Sequence, residues 1–216
     1  MSEQGTPDLG LEFYETPAAF TKYLFSEVPI RGRAFECCVG DGAILRAAPA
    51  DTLWFTNDLD ARWPADVHKD ARDLTLWKAH EFDWTVSNPA FTPAIEIITR
   101  ALEHSRIGVA MHLRASIHEV LKTGIRRTWM ARNTPTGILW LPRFAYQRSK
   151  TTGKWTTDSV CACWVIWLAD KTAPQFIRYA PEWVIDQLDA ETPEYRRRMD
   201  ALMAGGPRAE EAKATA

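Results

Sequence analysis

The chain has 216 residues, 26 Lys+Arg against 28 Asp+Glu and a formal net charge of −2, and 46% of its side chains are hydrophobic. That composition excludes a chain disordered throughout, and no apolar run approaches the roughly 18–20 residues that span a bilayer. The polar start Met-Ser-Glu-Gln-Gly has no signal-peptide character, so a cytoplasmic protein with free thiols at Cys37, Cys38, Cys161 and Cys163 is expected.

Apolar spacing predicts a helix over 18–27, with Thr16-Pro17 as cap and first turn. A short apolar run over 33–39 ends in Gly40-Asp41-Gly42 and leads into a helical AILRAA segment. A second strand is expected over 53–57 and a very short third at Val67. A fourth is expected over 83–87, a helix over 94–104 and a fifth strand over 106–113. Such alternation predicts an α/β fold, a doubly wound and mostly parallel sheet covered on both faces. Two longer β-rich runs, 137–147 and 160–168, predict a C-terminal antiparallel hairpin whose long connection is basic. The expected organisation is a flexible N-terminus over 1–11, one domain over 12–200 and a disordered Ala/Glu-rich tail over 201–216. Arg196-Arg197-Arg198 reads as a solvated helix end.

Counted by segment, the charge is uneven. Residues 1–99 carry a balance of −8, residues 100–157 carry +9 and residues 158–216 carry −3. A cationic island in an acidic chain attracts polyanions. Its members Arg126, Arg127, Arg143, Arg148, Lys150 and Lys154 are candidate nucleic-acid contacts, and Tyr146 and Trp155 are candidate stacking groups. The five histidines are too dispersed to form a metal triplet, so no metal is expected.

Two motifs carry chemistry. Glu36-Cys37-Cys38-Val39-Gly40-Asp41-Gly42 is a strand running into a Gly-x-Gly turn and a helix, which lets the backbone approach a ligand. Asp58 follows 18 residues after Gly40, where a carboxylate can accept both hydroxyls of a ribose. Leu45 replaces the third glycine of the dinucleotide fingerprint, which favours a nucleoside over a pyrophosphate. Ser87-Asn88-Pro89-Ala90-Phe91 follows the fourth strand. Asn88 and the Pro89 carbonyl offer two acceptors for one amino group, and Phe91 offers a face for a planar base. An Asn-Pro turn capping the next helix is the plain alternative.

Together these segments, over about residues 12–170, resemble the S-adenosylmethionine-dependent amino-methyltransferases. The likeness is greatest to the phage-type N6-adenine DNA methyltransferases, with γ-like motif order. The resemblance implies that Phe13-Tyr14-Glu15-Thr16-Pro17 is the family's Thr-Pro element and that Glu36, Cys37, Gly40 and Gly42 hold the cofactor. It likewise implies that Asp58-Leu59 holds the ribose and that Asp70-Ala71 meets the cofactor adenine. Asn88, Pro89 and Phe91 would form the catalytic motif, with Ala90 replacing the family's second proline. Asp158-Ser159-Val160 and the aromatic run 164–167 resemble the end of such domains. The implied function is methylation of a flipped or single-stranded adenine in DNA by a monomer or homodimer, with relaxed or short-site specificity. A cytosine-N4, RNA or protein-glutamine methyltransferase, or a non-catalytic nucleic-acid-binding protein of this fold, stay open as alternatives.

Overall fold

A computed structural model describes residues 14–118, 125–149, 151–156 and 161–205. The expectations for 1–11, Phe13, Lys150, 158–160 and 206–216 lie outside the described residues. Seven strands form one sheet: β1 (Arg33–Glu36), β2 (Leu53–Thr56), β3 (Phe82–Ser87), β4 (Ser105–Arg114), β5 (Gly137–Trp140), β6 (Ala162–Leu168) and β7 (Phe176–Tyr179). Their order is β2-β1-β3-β4-β6-β5-β7. Only β6 runs antiparallel to its neighbours, β4 and β5, and the other pairings are parallel. The helices are α1 (Ala18–Glu27), α2 (Ala43–Ala47), α3 (Leu74–Lys78), α4 (Ala94–His104), α5 (Ile125–Arg132) and α6 (Glu182–Gly205).

Strand alternation sends successive side chains to opposite faces, and two cores result. On one face Trp164 and Ile166 of β6 pack with Phe20 and Leu24 of α1 and Val184 and Leu188 of α6. On the other, Cys163, Val165 and Trp167 of the same strand join Trp77 of α3 and Ile97 and Ile98 of α4. Trp77, Trp84 and Trp164 are fully buried, and truncating any one to Ala costs about 3–5 kcal/mol. Gly108 is required beside Trp84, because a Cβ there would lie 2.5 Å from the indole ring.

Several boundaries differ from expectation for identifiable reasons. Val67 forms only an isolated bridge to Asn57 rather than a strand. The run 137–147 leaves the sheet after Trp140, because Pro142 has no N–H for the ladder. Thr16 does not cap α1. Pro17 sits at the cap position without a side-chain bond, and Glu191 of α6 accepts the Ala19 N–H at 3.1 Å instead. The terminal region is the largest correction. Strand β7 was not anticipated, and α6 continues to Gly205 through an internal Pro193, with Tyr195 and Met199 buried. Arg198 is no solvated helix end, since it pairs with the buried Glu15.

Candidate active site

The chain runs from β1 outward to β2 on one side and to β3 on the other. The strand order therefore reverses between β1 and β3, and a crevice opens at their carboxyl ends. A cavity of about 470 Å³ fills it, lined by the β1–α2 turn, the end of β2, Asp70-Ala71-Arg72 and Asn88. That volume is in the range of small-molecule sites. A second cavity of about 50 Å³ adjoins the first, and Tyr14 and Asn88 line both.

Gly40 and Gly42 have φ of 52° and 79°, a left-handed region that strains other residues, so the turn needs glycine at both positions. The Gly40 N–H donates to Asp58 Oδ2 at 2.8 Å, and the Asp60 N–H donates to Asp58 Oδ1 at 2.9 Å. Each carboxylate oxygen keeps a second acceptor position for a ligand. Burial pushes the Asp58 carboxyl up, although these two bonds lower it. Glu36, at the end of β1, is 2% exposed, and its Oε2 has no hydrogen-bond partner. Burial raises the Glu36 carboxyl well above the ordinary 4.5, and Asp41 and Asp58 add to the shift. Glu15 is also raised by burial, against the opposing pull of Arg198 and Arg46. Asp70 is gripped through both oxygens by Arg72, which holds its carboxyl low.

Asn88 is oriented from far away in sequence. Its Nδ2 donates to the Tyr14 main-chain oxygen at 2.7 Å and to Thr16 Oγ1 at 3.0 Å. With both N–H groups engaged, Oδ1 is the atom the side chain presents as an acceptor. Pro89 is buried beside it and lines the smaller cavity with Phe91, which is 36% exposed. Thr16 thus serves this centre through Asn88 as well as lining the larger cavity, while Pro17 starts α1. Cys37, Leu59 and Ala71 line the larger cavity, whereas Gly42 does not line it and caps α2.

The expected nucleic-acid set separates. Tyr146 is not an exposed stacking group: it is buried, with its hydroxyl 3.2 Å from His112 Nε2, and it walls the smaller cavity. Trp155 is half-buried against Tyr195, with Arg148 and Arg196 over its ring at 5.3 and 5.4 Å. Both rings turn inward because burying aromatic area outweighs exposing it. Arg148 bonds both oxygens of Asp200 at 2.7 and 2.8 Å. Arg143 and Lys154 are exposed, and Arg126 and Arg127 lie in α5.

Residues of these cavities that sequence reasoning missed include Trp63, His112 and Arg114. Trp63 is 9% exposed and lines the larger one, although tryptophan by itself signals no ligand. His112 is held neutral by burial, with its pKa lowered to about 3. Arg114 ends β4, and its place after an apolar run was an available signal. Among the described residues no His/Cys/Asp/Glu group could hold a metal, and no helix is long and apolar enough to cross a membrane.

No family model matches the chain, and no curated relative does. Solved structures do. A type I restriction-modification methyltransferase subunit from Streptococcus thermophilus superposes with TM-score 0.56 and 13% identity, over 86% of this chain and 54% of that one. A Listeria monocytogenes protein, assigned as a class I S-adenosylmethionine-dependent methyltransferase, gives 0.56 and 13%, over 83% and 71%. A Pyrococcus horikoshii protein, assigned as an RNA methyltransferase, gives 0.53 and 16%, over 78% and 90%. The fold is that of the class I methyltransferases. The chain spans about half the length of the type I subunit.

The residues present in this class I methyltransferase fold suit S-adenosylmethionine. The larger cavity is walled by carboxylates, including Glu36 with its orphaned oxygen, and burial holds three of them at raised pKa. A ligand carrying an ammonium and a sulfonium relieves that desolvation. Asp58 suits a ribose diol, and Ala71, Leu59 and Trp63 supply apolar surface for a flat ring.

Proposed function

We propose that this protein transfers a methyl group from S-adenosylmethionine to the exocyclic N6 amine of adenine in DNA, with relaxed or short-site specificity. The observation that carries this reading is Asn88, turned by Tyr14 and Thr16 so that its amide oxygen serves the junction of the two cavities. When bound, S-adenosylmethionine would be held by Glu36, Asp58 and Asp70 in the larger cavity and would supply an electrophilic methyl group.

The chain's own part is to make a poor nucleophile competent. An exocyclic amine on a purine delocalises its lone pair into the ring. Asn88 Oδ1 and the Pro89 carbonyl accept its two N–H bonds and favour a pyramidal nitrogen whose lone pair faces the larger cavity. Phe91 stacks on the ring and sets its plane. As positive charge grows on nitrogen, the two preorganised acceptors stabilise it, and holding both reactants in one crevice removes much of the entropic barrier. No strong general base is needed, because the alkylated nitrogen is acidic. His112, neutral and buried, and Tyr146 wall the acceptor side and exclude water.

Ala90 costs rigidity rather than a functional group, since the acceptors come from Asn88 and Pro89. The +9 balance of residues 100–157 supports a polyanionic acceptor over a protein glutamine. The deciding experiment incubates the protein with DNA and radiolabelled cofactor, digests the DNA and identifies the labelled nucleoside. N6-methyl-2′-deoxyadenosine from DNA is the expected product. Label on cytosine, on RNA only or on neither nucleic acid overturns the assignment.

A further inference from the structure

The smaller cavity beside Asn88 and Pro89 has about 50 Å³, room for a few waters and far less than ligand sites normally offer. A nucleobase does not fit it in this conformation. What fills the adjoining space is Arg114. Its guanidinium lies over the Tyr14 ring at 5.3 Å and the Phe91 ring at 5.9 Å, and one of its N–H groups donates to the Tyr14 hydroxyl at 3.2 Å. A guanidinium is flat and delocalised and stacks on aromatic faces much as a heterocycle does. Its position over Phe91 is therefore the position the proposed acceptor ring needs.

We propose that Arg114 is a specificity-determining residue of the acceptor slot: it occupies the stacking position when no acceptor is bound, and only a flat aromatic amine can replace it. This rests on the methyl-transfer reading above and deepens it by naming the residue that selects a planar heterocycle as acceptor. The geometry explains why. An aliphatic amide presents only a small π face to Phe91, whereas a base stacks on it with a full ring. Arg114 stands at the end of β4, on the strand beside β3, from whose end the Asn88 motif emerges. Clearing the slot requires Arg114 to give up both ring contacts and its bond to the Tyr14 hydroxyl. The displacement acts as a tax on acceptor binding, so removing the side chain tightens the ground-state complex.

The test uses the full chain and a single-stranded oligonucleotide carrying one 2-aminopurine, whose fluorescence reports stacking, in the absence of cofactor. Arg114→Ala is expected to bind this probe about tenfold tighter than the unaltered protein and to lower KM for an unpaired adenine by a similar factor. Arg114→Lys keeps the charge and loses the flat face, so it is expected to follow Arg114→Ala. Circular dichroism and melting establish that each variant is folded. Weaker or unchanged probe binding by Arg114→Ala, or wild-type behaviour of Arg114→Lys, overturns the slot proposal, because Arg114 would then be acting as a phosphate contact or as packing. The underlying reading fails separately, if Asn88→Ala retains methyl transfer.

Discussion

Asn88 Nδ2 donates to the main-chain oxygen of Tyr14 at 2.7 Å, joining two residues 74 apart in sequence. A main-chain carbonyl can only accept, so this bond determines which end of the Asn88 amide is offered to a ligand. The second bond, to Thr16 Oγ1 at 3.0 Å, fixes the same orientation. The element before α1 therefore fixes the orientation of the Asn88 side chain.

Replacing Asn88 by Ala is expected to lower kcat by about 10²–10³, the usual consequence of losing one preorganised group of an electrostatic site. Cofactor affinity should fall by no more than a few-fold, because the remaining lining is untouched. Thr16→Val, which keeps the shape and removes one acceptor, should cost about fivefold in kcat, corresponding to roughly 1 kcal/mol. Single-turnover transfer and calorimetric titration of the cofactor separate the two effects. A Thr16→Val enzyme with full kcat would show that the Tyr14 carbonyl suffices alone.

The raised carboxyl of Glu36 gives a pH dependence of defined sign. The folded chain holds that proton more tightly than the unfolded chain does. Stability is therefore greatest below about pH 4.5 as far as this group is concerned, and it is lost as pH rises through the raised value. Glu36→Gln should remove this component and raise the apoprotein melting temperature at neutral pH, by about 2–4 °C for each kcal/mol relieved. The same variant should bind cofactor more weakly. Melting curves from pH 4 to 8 with and without cofactor provide the check, and identical pH profiles for the two proteins would contradict the prediction.

Asp58 offers a direct measure of cofactor recognition. Asp58→Ala removes two prospective acceptors for a ribose and also the partner of the Gly40 N–H. At about 1.5–3 kcal/mol for hydrogen bonds to a charged group, the cofactor Kd should rise roughly 10–100-fold. Nucleic-acid binding measured without cofactor should be unaffected.

Glu15 joins three elements that are distant in the chain. Its carboxylate is buried between Arg198 of α6 and Arg46 of α2, and the Tyr195 hydroxyl donates to its carbonyl at 3.1 Å. Glu15→Ala removes the acceptor of the half-exposed Arg198 and is expected to destabilise the fold by about 1–3 kcal/mol. Glu15→Gln, which retains an acceptor, should cost less. Urea unfolding of both variants tests the ordering.

Lys154 and Arg143 are exposed side chains of the basic segment. Reversing either to Glu should weaken DNA binding at low salt and reduce the slope of log K against log salt by about one unit per contact. Arg148→Glu should act differently. It breaks the pairing with Asp200 that ties the 148–155 loop to α6, so its effect should appear in stability as well as in affinity. Salt titrations of the three variants distinguish these outcomes.

What the sequence determined by itself was local and covalent. Helix spacing placed α1 and α4 at their observed limits, Ala18–Glu27 and Ala94–His104, and apolar runs placed the first strands to within a few residues. The two glycines of the β1–α2 turn and the Asn88-Pro89 pair after β3 were legible because a tight turn and a strand end depend on backbone conformation and residue type within a few positions. Tertiary structure alone decided the rest. Strand β7 has four residues with three of them exposed, too weak a pattern to announce itself, and it exists because β5 offers it an edge. Helix α6 carries Pro193 and many charges, and its helicity is secured by burying Val184, Leu188, Tyr195 and Met199 against α1 and the sheet. The orientation of Asn88, the cap on α1 and the stacking of Arg114 on Tyr14 and Phe91 each depend on contacts between residues far apart in the chain. No local pattern encodes such contacts, because they form only when the packed sheet brings those segments together.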